Sequence, residues 1–453
     1  MRGAAAFALA AALSSCATYA PLPLGSGHGA DDARQLRVSA ADMPLPALAT
    51  HRFDPSDGLD ATEVAMLAVA GSPDLVLKRD DLGIARAQAF AAGLLPDPQL
   101  ALAADFPAHS GGGLSTAYNL GISQDVSALL TRSSREAAAS AGAEQVDLEL
   151  LWAEWQAIAQ AHLLFGQVTS LRAQQELLED EQTATAALAD TVGAALKSGN
   201  LSYDTASAGL NAGADVRKRV ADGAIALHQA ESDLRALLGL APDAPLDLVG
   251  DPYVSVPTAD EVEQALADLP ARRPDLLALQ AGYRAQDAKL RAAILAQFPA
   301  LTLGFTSARD TSAIYTRGVG IGISLPLFDR NRGNIAIETA TRQRLKDDYD
   351  TRLLAARSDV QRLRADLDTF ARQRAALETH VRDLDAARAI AEPAWRNGLL
   401  DWQTWLAICG NALAADLDLV ALRQEHAKQA IALEALLGSV DLHLSSVSRV
   451  PAP

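Results

Sequence analysis

The sequence is poor in aromatic residues and cysteine, and it carries no motif of a known catalytic or metal centre. Aromatic side chains make up 5% of the 453 residues, and the two cysteines, Cys16 and Cys409, are too few for a disulfide framework. The histidines are scattered without an HExxH pair, and no nucleophile elbow, Walker loop or dinucleotide fingerprint is present. We therefore expect that the protein is not an enzyme and that it has no metal site and no cofactor.

Basic residues are also in deficit. The formal net charge is −17, with acidic residues spread along the chain. Nucleic acids require a basic footprint, so a nucleic-acid partner is excluded. Alanine supplies much of the apolar content, which favours long, closely packed helices over a bulky globular core.

The first 15 residues have the layout of an exported precursor: Arg2, an alanine-rich apolar core and small residues before Cys16. The run Leu13-Ser14-Ser15-Cys16 resembles a bacterial lipobox, which predicts a covalent lipid on Cys16. Ala17 follows, and by that resemblance the mature protein is sent to the outer membrane. An ordinary cleaved signal with a chance cysteine is the alternative. Residues 16–58 are rich in proline and lack periodicity, so we interpret them as an extended, lipidated tether.

The chain contains an internal duplication. The run Ser72-Pro73-Asp74-Leu75 returns as Arg273-Pro274-Asp275-Leu276, and Leu120-Gly121-Ile122-Ser123 returns as Ile321-Gly322-Ile323-Ser324, both 201 residues later. Two matches with one offset predict two repeats, residues 59–239 and 271–440. A proline-rich linker, residues 240–270, joins them around the outside of the bundle, and residues 441–453 form a C-terminal tail.

Each repeat contains two segments in which apolar and polar or small residues alternate. They predict strands at about 99–107, 117–125, 300–308 and 316–325. A soluble sheet can show the same alternation. However, four strands cannot close a barrel, and an open sheet edge cannot face lipid, so several copies must pool their strands if the sheet spans a membrane.

A long helical hairpin follows each strand pair, at residues 128–239 and 330–438. Apolar residues recur in 4-3 spacing along these segments, as in coiled coils; they include Leu164, Val168, Leu171, Leu178 and Val192 in the first hairpin and Val360, Leu363, Leu367, Leu377 and Leu384 in the second. The predicted tip turns contain Gly199, Asn200 and Ser202, and Gly398, Leu399 and Asp401, with Ser202 and Asp401 as caps of the returning helices.

This order of elements resembles the TolC-like outer membrane factor family over residues 59–440. The runs Leu95-Pro96-Asp97-Pro98, Gly121-Ile122-Ser123-Gln124 and Ile323-Ser324-Leu325-Pro326 are similar to what flanks the family's strands, and Gly398 matches its tip glycine. The resemblance implies a mainly α fold with a small β part. It also implies a homotrimer in which twelve strands form one outer-membrane barrel above a periplasmic helical tube.

The resemblance further implies a passive exit duct of a tripartite efflux or type I secretion-like pump. A periplasmic adaptor would dock on the hairpin tips and connect the duct to an inner-membrane transporter, such as a resistance-nodulation-division pump. Some family members narrow the tip with acidic rings, but the corresponding positions here are Thr404 and Ala407. Asp401 is therefore the candidate for a tip constriction, with helix capping as the alternative.

Two other functions fit part of this pattern. A periplasmic coiled-coil adaptor or scaffold lipoprotein would explain the hairpins but not the strands. A lipoprotein enzyme would need convergent polar groups, which the sequence does not offer. Trp395, Trp402 and Trp405 flank the second tip and serve either packing or adaptor binding. The cargo is not specified by the sequence.

Overall fold

The computed structural model describes residues 19–438 apart from 26, 28, 37, 41–42, 109–113 and 251–255. The described chain is mainly helical with four strands, which confirms the predicted fold class. The elements, in chain order, are α1 (Pro46–Thr50), α2 (Ala61–Gly71), α3 (Pro73–Gly93), β1 (Gln99–Asp105), β2 (Ala117–Asp125), α4 (Ser127–Lys197), α5 (Tyr203–Leu237), α6 (Ala259–Arg272), α7 (Pro274–Leu295), β3 (Ala300–Arg309), β4 (Tyr315–Ser324), α8 (Arg332–Arg396) and α9 (Trp402–Leu437).

Two helices are exceptionally long. Helix α4 has 71 residues and α8 has 65, which correspond to lengths of about 107 Å and 98 Å at 1.5 Å per residue. Near the strands, α4 packs between α3 and α7, and α7 packs against α8. Towards the other end, α4 packs against α5 and α9, and α9 packs against α8. The helices therefore form an elongated array, with the strands at one end and two hairpin tips at the other.

The predicted coiled-coil spacing marks the packed faces of these helices. Leu164, Val168, Leu178 and Val192 are buried on α4, and Val360, Leu363 and Leu367 are buried on α8. Helix α9 is long and apolar enough, by length and composition alone, to cross a membrane, yet only 22% of its most apolar stretch is buried. Since it packs along α8 and against α4, α9 belongs to the helical array, and part of its apolar surface is left uncovered.

The main hydrophobic core lies midway along the array and includes part of the N-terminal segment. Met43, Leu48 and Leu59 pack with Phe165 of α4 and the buried residues of α2. Isolated parallel bridges join Ala30 to Leu240 and Leu59 to Leu248. The expectation of an extended tether is therefore wrong for the described residues between 29 and 59, which form a docked arm. Their contacts are with residues far away in sequence, so no local periodicity marks them.

The segment between the repeats contains α6, which packs against α7 and α9. A capping box begins the helix, because the Thr258 hydroxyl accepts from the Glu261 amide while the Glu261 carboxylate accepts from the Thr258 amide. Val262 and Ala265 pack with α8 and α9 in a second apolar cluster. The domain boundaries drawn from the sequence remain predictions.

Candidate membrane-spanning sheet and hairpin tips

The four strands form one antiparallel sheet in the order β1-β2-β3-β4. Directly opposed residues of an antiparallel pair project from the same face. Leu102 pairs with Leu120, Ile122 pairs with Phe305, and Phe305 pairs with Val319. The pairing thus collects the apolar residues of all four strands on one side, called here the apolar face.

The opposite side, called here the small face, carries mainly glycine, alanine, serine and threonine, with Asp105 and Asp125 near its two ends. Gly121 pairs with Thr306, which pairs with Gly318, and Gly304 pairs with Gly320. A soluble one-sided sheet buries its apolar face on a core. Here that face is uncovered, since Leu102 is 74% exposed, Val319 86% and Ile321 67%.

The dimensions of the sheet match a bilayer. The ten residues of β3 extend about 33 Å along the strand, or roughly 25 Å in height at the usual tilt of membrane barrels. Aromatic side chains lie exposed at both ends of the sheet: Phe106, Tyr118 and Tyr315 at the end distant from the helices, and Phe298 and Phe328 at the helical end. Such paired aromatic girdles are typical of outer-membrane strands.

The sheet is open, because β1 and β4 each pair with one neighbour only among the described residues. Their outer backbone groups have no partner strand. In water this edge would invite aggregation, and in lipid each unpaired group costs several kcal/mol. The sheet therefore requires other copies of the chain on both edges if it lies in a membrane.

The two hairpin tips have the same backbone geometry. After α4, the Gly199 amide donates to the Leu196 carbonyl and the Asn200 amide to the Ala195 carbonyl; after α8, Gly398 and Leu399 make the corresponding bonds to Trp395 and Ala394. This is the Schellman ending, which requires a positive φ at its glycine. Gly199 has φ +77° and Gly398 has φ +71°.

The predicted caps are confirmed as the residues that begin the returning helices. The Ser202 hydroxyl accepts from the Thr205 amide at 3.2 Å, and the Asp401 carboxylate accepts from the Thr404 amide at 2.9 Å. A further bond from the Thr404 hydroxyl, at 2.7 Å, together with the amide bond lowers the pKa of Asp401. Asp401 is therefore an ionised, exposed helix cap, and its role as a tip constriction remains a prediction.

The tryptophans at the second tip pack within and between the hairpins. Trp395 and Trp405 stack at 6.5 Å between ring centroids across the α8–α9 hairpin. Trp402 contacts Gly209 of α5, where an added Cβ would lie 3.1 Å from the indole. Packing accounts for all three, while Tyr203 and Leu399 remain 74% and 81% exposed and are free for contacts with another protein.

Titratable groups gather between the hairpins some way from the tips. The Thr185 hydroxyl donates to Glu181 at 3.1 Å, and burial raises the pKa of Glu181 despite this bond and the attraction of Arg388. Burial, with the nearby Glu181 carboxylate, raises the pKa of Cys409 to about 11, so this thiol is protonated at neutral pH and is a poor nucleophile. Within the described residues no cluster of side chains has the composition of a metal site.

One buried ionic cluster was not predicted from the sequence. Arg273 and Asp275, at the start of α7, form a bidentate pair with distances of 2.9 and 2.7 Å. Arg352 of α8 lies 3.8 Å from Asp275, and Arg273 lies 5.1 Å above the ring of Trp152. The Arg-Pro-Asp run is visible in the sequence, but its burial depends on tertiary packing.

Cys16, the predicted lipidation site, lies outside the described residues.

Comparison with known proteins agrees with this geometry. Residues 265–439 match the family model described as outer membrane efflux protein. The probable outer membrane lipoprotein SilC of Salmonella typhimurium is 26% identical over 193 residues, 40% of each chain. The pyoverdine export outer membrane protein OpmQ of Pseudomonas putida is 33% identical over 142 residues, 29% of this chain and 30% of OpmQ.

These alignments span less than half the length of the curated relatives, whereas the fold is shared throughout. The CmeC outer membrane channel of Campylobacter jejuni superposes with a TM-score of 0.72 over 94% of each chain, at 13% identity. The chain thus shares its fold with a solved outer-membrane channel. The family model matches less than half of the chain, at its C-terminal end, while the fold is shared with the solved channel over nearly the whole chain.

Proposed function

We propose that the protein is the passive outer-membrane exit duct of a tripartite export system and that it works as a homotrimer. The observation that carries this proposal is the four-stranded sheet with an exposed apolar face, a small face and two open edges. The sheet is attached to helices of about 100 Å, which are long enough to project deep into the periplasm.

Three copies would supply twelve strands and close the sheet. Closure pairs the free edges of β1 and β4 and places the apolar face against lipid, with the small face lining the lumen. Glycine and short side chains on that face, such as Gly121, Thr306 and Gly320, leave the lumen wide, and Asp105 and Asp125 would line it near its two ends. A wide lumen supports a passive duct.

The helices would form the periplasmic tube in the same assembly. The apolar surface that α9 leaves uncovered is then available to a neighbouring protomer. A periplasmic adaptor would dock on the hairpin tips and connect the duct to an inner-membrane transporter. The tip residues are Gly199, Asn200, Ser202, Gly398, Leu399 and Asp401. Their exposed, matching turns support this role, because one adaptor motif would fit both.

A covalent lipid on Cys16 is part of the proposal and is supported by the lipobox-like run before it. The arm packs against the helices from about residue 29. A lipid on Cys16 would therefore anchor the middle of the helical tube to the inner leaflet of the outer membrane. Metabolic labelling with a clickable fatty acid should mark the wild type and the Cys409→Ser control but not Cys16→Ser. Equal labelling of Cys16→Ser would exclude this anchor.

The duct can be tested with two neighbouring residues of β3 that lie at one depth on opposite faces. Phe305→Lys places a charge on the apolar face, and Thr306→Lys places the same charge on the small face. At mid-bilayer a lipid-facing lysine costs about 2–4 kcal/mol per protomer. We therefore expect Phe305→Lys to reduce the yield of outer-membrane trimer sharply.

Thr306→Lys should assemble normally and shift the single-channel reversal potential towards anions, since it adds positive charge to the lumen. Trimer mass is measured in mild detergent and current in a planar bilayer. A wild-type protein that purifies as a monomer without conductance would contradict the proposal. Equal behaviour of the two variants would also contradict it, because the two faces would then meet the same environment.

A further inference from the structure

The apolar face ends in a cationic layer at the end of the sheet distant from the helices. Alternation along β3 places Arg309 on this face after Leu303, Phe305 and Ser307. On β4, Arg317 follows Tyr315 and precedes Val319 on the same face. Under the proposed function this end is extracellular, so both arginines lie on the lipid side at the level of the outer leaflet.

The two arginines are close enough to act together. Arg309 opposes Tyr315 and Arg317 opposes Ser307, so the arginines are diagonal neighbours on adjacent strands. Diagonal positions lie about 7–8 Å apart, within reach of long side chains. The two guanidinium groups can therefore contact a single anion between them.

Aromatic rings flank this layer and orient it. The Arg309 guanidinium lies 5.5 Å from the ring centroid of Tyr315, and the Tyr118 and Tyr315 rings meet edge to face at 6.5 Å. Interfacial tyrosines mark the depth at which hydrocarbon gives way to headgroups. The arginines thus lie where lipid phosphates lie.

No carboxylate of the described residues neutralises the pair. Among the described residues, the ion pairs of the second repeat involve Arg291 and Arg342 but neither of these two arginines, and Nε of Arg309 is buried without a hydrogen-bond partner. Asp310 is next to Arg309, but its carboxylate accepts from the amides of Ser312 and Ile314 within the β3–β4 turn. Asp105 belongs to the small face, where it opposes Ala117. An unneutralised arginine pair on a lipid-facing surface calls for an anion supplied by the membrane.

We propose that Arg309 and Arg317 form, on each protomer, a binding site for the phosphate group of an outer-leaflet lipid such as lipid A. The acyl chains of that lipid would lie along Phe305, Val319 and Ile321 of the apolar face, and its phosphate would accept hydrogen bonds from the two guanidinium groups. This inference rests on the proposed membrane orientation of the sheet.

Native mass spectrometry of the delipidated trimer, titrated with lipid A or with dephosphorylated lipid A, tests the site. We expect up to one lipid A per protomer and a preference for the phosphorylated form of about tenfold or more, the effect of one charge-assisted hydrogen bond. The double variant Arg309→Gln/Arg317→Gln should lose this preference. The control Arg344→Gln/Arg357→Gln, which removes the same charge from exposed positions of α8, should retain it.

The inference is overturned if the wild type binds both lipids equally or if the double variant keeps the preference. It is also overturned if inorganic phosphate displaces lipid A at equal concentration, since the site would then be a plain anion site. Conductance is recorded on the same samples. A conducting trimer without lipid preference refutes this inference alone, whereas the absence of trimer and current refutes the proposed function.

Discussion

Removal of the Asp275 carboxylate should destabilise the protein more than almost any other single change outside the apolar core. The side chains of Arg273 and Asp275 are only 4% and 5% exposed, and two hydrogen bonds join them. Asp275 also accepts from the Leu276 amide at 2.9 Å. Asp275→Ala leaves the Arg273 guanidinium buried without its counter-ion, and such a loss costs about 3–5 kcal/mol.

The internal duplication provides a matched control. Asp74 occupies the corresponding place at the start of α3, 201 residues earlier, but it is exposed, and Ser72 stands where the second repeat has Arg273. Both aspartates lie in the first turn of a helix, where each interacts favourably with the helix dipole. Asp74→Ala removes only that effect, about 0.3–1 kcal/mol, so the difference between the variants isolates the buried pair.

The assay is thermal unfolding of the purified protein in one detergent, followed by far-UV circular dichroism at one scan rate. With an unfolding entropy of roughly 2 cal/mol/K per residue, 3–5 kcal/mol corresponds to a decrease in Tm of about 3–5 °C. Asp74→Ala should lower Tm by about 1 °C or less. The comparison of variants at a fixed rate stays valid if unfolding is irreversible.

A second variant separates charge from packing. Arg273→Met/Asp275→Ala removes the stranded cation as well, so it should be more stable than Asp275→Ala alone, even though it lacks the contact with Trp152. Equal Tm values for Asp275→Ala and Asp74→Ala would refute the assigned role of the pair. A double variant less stable than Asp275→Ala would show that Arg273 contributes by packing and not through its partner.

Two other predictions concern single carboxylates. Asp401→Asn should keep the melting behaviour of the second hairpin while Asp401→Ala weakens it, because asparagine also caps helices; a change in conductance with Asn would assign a constriction role, and identical melting of both variants would exclude the capping role. Burial raises the pKa of Glu434 above its ordinary value of 4.5. Glu434 therefore binds a proton more readily in the folded protein than in the unfolded chain. The free energy of unfolding should consequently rise as pH falls from neutral towards 4.5. Glu434→Gln should flatten this part of the Tm–pH profile, and an unchanged slope would contradict the assignment.

Much of the fold follows from local pattern. Alternation placed the strands to within two residues of their observed ends, and 4-3 spacing identified packed positions such as Leu164 and Val360. The tip glycines were found because a Schellman ending demands a positive φ, which few residues other than glycine adopt. Each of these signals is carried by neighbours in sequence.

The features that escaped prediction depend on distant partners. The docked arm has no periodicity, since Met43 and Leu48 are buried by residues more than a hundred positions away, including Phe165 and Leu240. The burial of Arg273 and Asp275 is likewise produced by α8 and by Trp152. The proximity of Arg309 and Arg317 at the end of the sheet depends on the register between β3 and β4, which the sequence does not specify.

The structure also shows how the two repeats differ in length without losing their packing. The matches at Pro73 and Gly121 return 201 residues later, whereas the tip glycines, Gly199 and Gly398, lie 199 residues apart. Buried positions of α4 and α8 already follow the shorter offset, in the pairs Ala157 and Ala356, Ala161 and Val360, Leu164 and Leu363, Val168 and Leu367, and Val192 and Ala391.

The loss of two residues must therefore lie between the strands and the first of these buried pairs. A two-residue deletion inside a helix would rotate everything beyond it by about 200° and turn the packed face outward. The second repeat avoids this, because residues 325–331 between β4 and α8 are not helical, and Arg330 and Asn331 have positive φ. In the first repeat α4 begins almost directly after β2. The junction of sheet and tube absorbed the change in length, and the register from there to the tips stayed the same in both hairpins.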